Sequence, residues 1–139
     1  MSIRVERIDH VVLRVADMAR MVAFYRDALG MAVERELHAY GLVQLRAGAS
    51  LLDLVDTNVA GGGIAQGEAR DLDHLCFRVD PFDAEAIARA LAPFGIDAGD
   101  AVDRYGAEGI GPSIYLTDPE GNRLELKGPA HTPARRPPG

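Results

Sequence analysis

One short stretch of this sequence occurs twice in closely similar form. Residues 8–15 read IDHVVLRV and residues 72–79 read LDHLCFRV, 64 positions later. Each copy has Asp-His near its start, an arginine four residues after the histidine, and a final valine. The apolar residues between them alternate as in a half-buried β-strand. A repeat of this length predicts a fold built from two copies of one unit.

The repeat continues into a helix in both halves. In the first half Asp17 is suited to cap a helix, apolar residues follow at helical spacing, and Gly30 is suited to end it. In the second half Asp83 and Gly95 have the same two places. The sequence therefore predicts that each strand is followed by one helix.

Strand-like segments follow each helix and close in a hairpin. The first hairpin is expected to turn at residues 47–50 and the second at DPEGN, residues 118–122. Each half is thus predicted to be a βαβββ module, and the fold class is α+β. The modules are expected at about 4–58 and 70–128.

The segments outside the modules have a different composition. Residues 59–69 are rich in glycine and alanine without an apolar period, which predicts a connector. The two modules and this connector are expected to form one domain, residues 1–128. Residues 129–139 are rich in proline and are predicted to be a disordered tail.

Composition limits the classes of partner. With 15 Lys and Arg against 21 Asp and Glu, the net charge of −6 argues against nucleic acid or an anionic membrane surface. No apolar run is long enough to span a bilayer. The single cysteine, Cys76, cannot form an internal disulfide, which favours a cytoplasmic location. Cys76 itself is expected to be a small buried residue.

The closing hairpin strands contain a second matched pair, an acid between two leucines. Asp53 occupies this place in the first half and Glu125 in the second. Side chains alternate between the two faces of a strand. If the leucines face the helices, one concave face of the sheets carries four polar residues: His10, Asp53, His74 and Glu125.

Two histidines and two carboxylates on one face favour a divalent metal. Imidazole nitrogen and carboxylate oxygen suit Ni, Zn, Mn, Co or Fe, and such a ligand set leaves positions for water or substrate. Each residue alone has a simpler interpretation, a hydrogen-bonded core histidine or a solvated acid. The matched positions in both halves favour the metal site.

The motifs IDHVVLRVADM, FYRDALGM, LDHLCFRV and IYLTDPEGNRLEL resemble the vicinal oxygen chelate superfamily over residues 5–128. That superfamily holds glyoxalase I, extradiol dioxygenases, methylmalonyl-CoA epimerase and fosfomycin thiol transferases. The resemblance implies a metal that holds two neighbouring substrate oxygens, with the four polar residues at the ligand positions. Asp53 stands where glyoxalase I has a glutamate and is one methylene shorter. A homodimer with sites shared between subunits is also implied.

Within the superfamily, the resemblance implies a lyase or isomerase of the glyoxalase I type. Such an enzyme acts on the hemithioacetal of a thiol through an enediolate, and Glu125 is the expected base, with Asp53 second. Arg14 and Arg70 match arginines that meet the glutamyl end of glutathione, so a glutathione adduct is the expected partner.

Other reactions remain open. An iron(II) extradiol dioxygenase would use His10, His74 and Glu125, with Tyr115 as a phenol beside the substrate. The histidine of that signature is absent from RYGAEGIGP, residues 104–112. A fosfomycin thiol transferase would need a hydroxyl residue where this chain has Val12. A non-catalytic binding or resistance protein of the same fold is the further alternative.

Overall fold

The computed structural model describes residues 7–59, 72 and 74–134. It divides into two compact units, Met1–Glu68 and Ala69–Gly139. Of the predicted connector, residues 60–69 lie outside the described part of the chain. None of the helices in the described ranges is long and apolar enough to cross a membrane.

The first unit is a four-stranded sheet with a helix, and it has the predicted βαβββ order. The strands pair in the order β1-β4-β3-β2, with β1 parallel to β4 and the other pairs antiparallel. The elements are β1 (His10–Val15), α1 (Met18–Ala23), β2 (Ala32–Leu37), β3 (Leu42–Ala47) and β4 (Ser50–Asp56).

The first helical segment begins and ends where the sequence predicts. The carboxylate of Asp17 accepts a hydrogen bond from the backbone N–H of Arg20 at 3.1 Å, which satisfies one of the unpaired N–H groups of the first turn. The helix continues as a π-helical segment, Phe24–Ala28, and the chain then reverses at Gly30, whose φ of 73° suits glycine. Met21 and Tyr25 are fully buried together with Leu45 and Leu54 of the sheet. These residues form the core of the unit.

The second unit repeats this architecture. Its sheet order is β5-β8-β7-β6, with β5 parallel to β8. Asp83 caps the helix by accepting from the N–H of Ala86 at 3.1 Å, and a 3₁₀ turn at Ala92–Phe94 continues it to Gly95, which has a φ of 69°. The elements are β5 (Leu75–Arg78), α2 (Ala84–Leu91), β6 (Val102–Gly106), β7 (Gly109–Thr117), β8 (Arg123–Lys127) and β9 (Thr132–Pro133).

The turn between β7 and β8 is organised by Asp118, which is only 3% exposed. Its Oδ1 accepts from the backbone N–H groups of Glu120 and Asn122, both at 2.9 Å, and its Oδ2 accepts from the Asn122 amide at 2.7 Å. An aspartate at the first position of a turn bonds the backbone that follows it. The turn predicted at residues 118–122 is confirmed.

The prediction of a disordered tail is wrong for residues 129–134. Strand β9 pairs with the start of β7, Thr132 opposite Ile110 and Pro133 opposite Gly109. The backbone N–H of His131 donates to the carbonyl of Ile110 at 2.8 Å. Proline tolerates an edge strand because its missing N–H faces away from the ladder. Residues 135–139 lie outside the described part.

Candidate metal and substrate site

Burial separates the two faces of β1 as predicted, whereas residues on both faces of β4 are buried. Leu13, Val15, Leu52 and Leu54 are buried, whereas His10 and Arg14 are exposed on the other face. Asp53 is opposite Val12 on β1 and opposite Gln44 on β3, and laterally paired residues point to the same side of a sheet. The side chains of His10 and Asp53 therefore share the face that α1 does not cover.

The imidazole of His10 is anchored at one nitrogen. Its Nδ1 lies 2.8 Å from Oδ2 of Asp9, and since a carboxylate only accepts, Nδ1 carries the hydrogen. The hydrogen bond that His10 donates to Asp9 raises the pKa of His10 above its ordinary value, against a smaller effect of desolvation, and the charges of Asp53 and Asp9 add to the rise. Nε2 is then the nitrogen with the lone pair in the neutral ring, the form that binds metals.

The carboxylate of Asp53 is 5% exposed and has one unsatisfied oxygen. Oδ2 accepts a hydrogen bond from Nε2 of Gln44 at 3.1 Å. Oδ1 is buried and has no hydrogen-bond partner within the described part of the chain. A buried carboxylate oxygen is costly to leave unpaired, so a cation or a polar substrate atom fits at Oδ1.

The carboxylate of Glu125 in the second unit is almost surrounded by polar groups. Ser113, which is fully buried, donates from Oγ to Oε2 at 2.7 Å. Nε2 of His74 lies 3.3 Å from Oε1. Burial alone would raise the pKa of Glu125, but hydrogen bonds from Ser113, Tyr115 and Cys76 and the charge of His74 outweigh it and lower the pKa. Glu125 is therefore an ionised carboxylate, a good ligand and a weak base.

Tyr115 lies beside this pair. Its ring meets the ring of His74 edge-on with the centroids 5.9 Å apart, and the guanidinium of Arg123 stands 4.7 Å over it. Tyr115 and Arg123 also line an open cleft of about 350 Å³ together with Asp97, Gly99 and Thr117. The tyrosine thus contacts one of the predicted ligands of this unit and also lines this open cleft.

The structure brings the predicted ligands together in pairs. His74 contacts Glu125 in one unit, and in the other Asp53 is close enough to act on the pKa of His10. No cluster of three or more His, Cys, Asp or Glu side chains suited to a metal occurs in the part of the chain that is described. Binding of one ion by all four residues stays a prediction.

Three further residues singled out from the sequence have different outcomes. Arg14 is exposed on the same face as His10, and Arg70 lies outside the described residues. The expectation for Cys76 is wrong, because the residue is exposed. Although the residue is exposed, its thiol is partly screened from water beside Glu125, and this desolvation together with the negative charge of Glu125 raises the pKa of Cys76 to about 11.

Sequence reasoning missed several polar residues around the two acids. Gln44 is 9% exposed and Lys127 is 7% exposed, and Lys127 donates from Nζ to the backbone carbonyls of Arg104 and, at 3.1 Å, of Gly111. Lys127 is two residues after Glu125, so its place on the same face of β8 could have been read from the strand period. Ser113 and Gln44 needed the register between strands.

The chain belongs to the Glyoxalase/Bleomycin resistance protein/Dioxygenase superfamily, whose family profile matches residues 7–126. The predicted resemblance to the vicinal oxygen chelate superfamily is thereby confirmed. Members of this superfamily include enzymes, bind small molecules and typically use a divalent metal.

Three relatives illustrate the range of the superfamily around this chain. It is 32% identical over 124 residues to virulence protein STM3117 of Salmonella typhimurium, covering 88% of this chain and 83% of that protein. It is 30% identical over 126 residues to the fosfomycin resistance protein FosX of Mesorhizobium japonicum, covering 88% and 85%. The solved integron cassette protein VCH_CASS1 of V. cholerae is 27% identical with a TM-score of 0.77, covering 94% of this chain and all of that one.

Proposed function

We propose that this protein is a metal-dependent lyase or isomerase of the glyoxalase I type, acting on a small hemithioacetal-like substrate with two neighbouring oxygens. The observation that carries the proposal is the pair His74 and Glu125, whose facing atoms lie 3.3 Å apart on the open sheet face of the second unit. Ser113 fixes the far oxygen of Glu125 and leaves Oε1 as the ligand atom. Nε2 of His74 is the second ligand atom.

A bound divalent ion supplies Lewis-acid stabilisation of the oxyanion that forms on the substrate. The two carboxylates then have different roles. The donors around Glu125 lower its pKa, which suits a ligand and weakens it as a base. The buried Oδ1 of Asp53 has no partner in the described residues and is available to accept a proton. We therefore place the base at Asp53, which remains one of the four proposed metal ligands; this reverses the order of bases expected from the sequence.

The test is metal content followed by activity. We expect the protein to bind about one Mn²⁺, Ni²⁺ or Co²⁺ per chain and to convert the hemithioacetal of methylglyoxal and glutathione. His74→Ala should lose stoichiometric metal, whereas His131→Ala is a matched control, because the ring of His131 bonds the exposed residues Thr132 and Asp103. Undiminished metal binding by His74→Ala would refute the proposal.

The two acids are separated by kinetics. Asp53→Asn, measured at saturating Mn²⁺, should lose turnover by about a hundredfold or more if Asp53 is the base. Glu125→Gln should instead weaken the metal. If Asp53→Asn retains turnover while Glu125→Gln binds metal and is inactive, the base is Glu125, as first expected from the sequence. The role of His10 as a third ligand is tested by the metal affinity of His10→Ala.

Fosfomycin modification is a second candidate. The similarity to FosX of Mesorhizobium japonicum suggests it, and the cationic residues on the face of Glu125 favour an anionic substrate such as a phosphonate. Lys127 on β8 is paired with Ser113 on β7 and with Arg78 on β5. Its positive charge therefore belongs to the middle one of three adjacent strands. Loss of fosfomycin on incubation with metal-loaded protein, with no change in the hemithioacetal, would select this function.

The same purified protein can be used to test the remaining expectations. Oxygen consumption with a catechol under iron(II) would establish the dioxygenase alternative. Ligand binding without turnover of any of these compounds would establish a binding protein. The predicted homodimer gives twice the chain mass in light scattering at micromolar concentration. A glutathione adduct as substrate predicts that Arg14→Ala raises KM with a smaller effect on kcat.

A further inference from the structure

The pairing of β2 with β3 contains an irregularity that changes which side chain faces Gln44. Val33 is opposite Leu45, and the next paired residue on β2 is Arg35, opposite Gln44. In an unbroken ladder that neighbour would be Glu34. A β-bulge inserts one residue and re-aims the side chains after it, and bulges are frequent beside functional sites. Here the bulge places a guanidinium rather than a carboxylate next to Gln44.

Arg35, Gln44 and Asp53 form a continuous hydrogen-bonded row across three neighbouring strands. Nε of Arg35 donates to Oε1 of Gln44, and Nε2 of Gln44 donates to Oδ2 of Asp53 at 3.1 Å. A guanidinium has only donors and an ionised carboxylate has only acceptors, so the amide between them has one orientation. Both bonds involve a charged group, and such bonds are stronger than neutral ones and polarise each other.

The row leaves Asp53 with two different oxygens. Oδ2 is occupied by Gln44, while Oδ1 is buried and has no partner among the described residues. The carboxylate therefore cannot rotate without giving up a bond in a nearly dry environment, because Asp53 is 5% exposed and Gln44 is 9% exposed. Oδ1 is fixed as the atom that faces an incoming ligand.

We infer that Arg35 is a positioning residue: acting through Gln44, it holds the Asp53 carboxylate so that Oδ1 is presented to a divalent cation. This inference rests on the proposed function, since it takes Asp53 to be part of the metal site. Arg35 makes no contact with the cation itself, and its effect is on the orientation of a group that does. Partners that orient metal-binding side chains typically change metal affinity by about 10–100-fold.

The experiment compares two arginines on the same sheet. Arg35→Met removes the charge at the end of the row. Arg46→Met is the matched control, because Arg46 lies two residues after Gln44 on β3 and its Nε bonds the exposed Glu34 at 3.1 Å instead. Mn²⁺ is titrated into metal-free protein by calorimetry. We expect Arg35→Met to weaken binding by about tenfold or more, Arg35→Lys to recover most of it, and Arg46→Met to stay within about twofold.

A second measurement follows the row without any metal. In ¹⁵N-labelled metal-free protein, Arg35→Met should shift the side-chain amide signals of Gln44 and speed their exchange with water, and Arg46→Met should leave them in place. If wild type binds no Mn²⁺, the proposed function fails. If wild type binds Mn²⁺ but Arg35→Met equals Arg46→Met, the positioning role is overturned. Unchanged Gln44 signals in Arg35→Met overturn the row itself.

Discussion

Replacing Ser113 by alanine removes the donor closest to the buried carboxylate of Glu125. The hydroxyl of Ser113 is 2.7 Å from Oε2, Ser113 is fully buried, and Glu125 is 6% exposed. A hydrogen bond to a charged group contributes about 1.5–3 kcal/mol, and its loss costs most where water cannot replace it. Since Tyr115 and Cys76 still bond Glu125, we expect the lower end of that range. A loss of about 1.5–2 kcal/mol corresponds to a fall in Tm of roughly 5–8 °C for a chain of this length.

The loss should depend on pH in a defined direction. The pKa of Glu125 is lowered below its ordinary value of 4.5 in the folded protein. Interactions that favour the ionised form stabilise the fold above the unfolded pKa and cease to do so as the pH falls through the folded pKa. The difference in unfolding free energy between wild type and Ser113→Ala should therefore be full at pH 7 and shrink below about pH 4.5.

Thermal and urea unfolding of metal-free protein between pH 3 and pH 7.5 measure this difference. Ser50→Ala is the control, because its hydroxyl also donates at 2.7 Å but to the backbone carbonyl of Ile8 at an exposed position. We expect a smaller loss in the control, with no pH dependence in this range. A Ser113→Ala penalty that is equal at both ends of the pH range would refute the account of how Glu125 is kept ionised.

Asp118→Ala should lose about 2–4 kcal/mol of unfolding free energy by urea titration, because three hydrogen bonds to a buried carboxylate disappear; stability within about 0.5 kcal/mol of wild type would contradict this. Leu54→Ala should cost about 3 kcal/mol in the same assay, since Leu54 is fully buried, while Val12→Ala, at a residue 50% exposed, should cost below about 1 kcal/mol. Alkylation of Cys76 in metal-free protein at pH 8 should be about a hundredfold slower than that of a free cysteine, because its pKa is about 11 and the thiolate is the reactive form. Rapid labelling, measured by mass spectrometry, would show that desolvation and Glu125 do not raise the pKa of this thiol.

Local signals predicted most of the architecture because each acts within a few residues. Asp17 and Asp83 cap helices through N–H groups three residues away, and the strand period alone assigned His10 and Asp53 to the face opposite the buried leucines. The internal repeat supported each of these predictions further, because an element predicted in one half was also expected in the other.

The features that the sequence did not predict depend on alignment between strands. The contact of Ser113 with Glu125 and the bulge before Arg35 follow from register, which a single strand does not contain. The exposure of Cys76 was missed for a related reason. Cys76 lies on the open face of its sheet, and no local sequence pattern indicates which face of a sheet is covered.

Strand β9 limits where a tag can be joined to the C-terminal part of this chain. It gives hydrogen-bonding partners to the first residues of β7, beyond the point where β8 begins to pair, and an uncovered strand edge is a template for association between molecules. Gly109 and Gly111 allow this close approach, because a Cβ atom at either would stand within 2.6 Å of the backbone of residues 129–134. A C-terminal affinity tag joined after residue 128 would therefore replace a piece of the sheet. The same tag joined after residue 139 leaves β9 in the expressed chain.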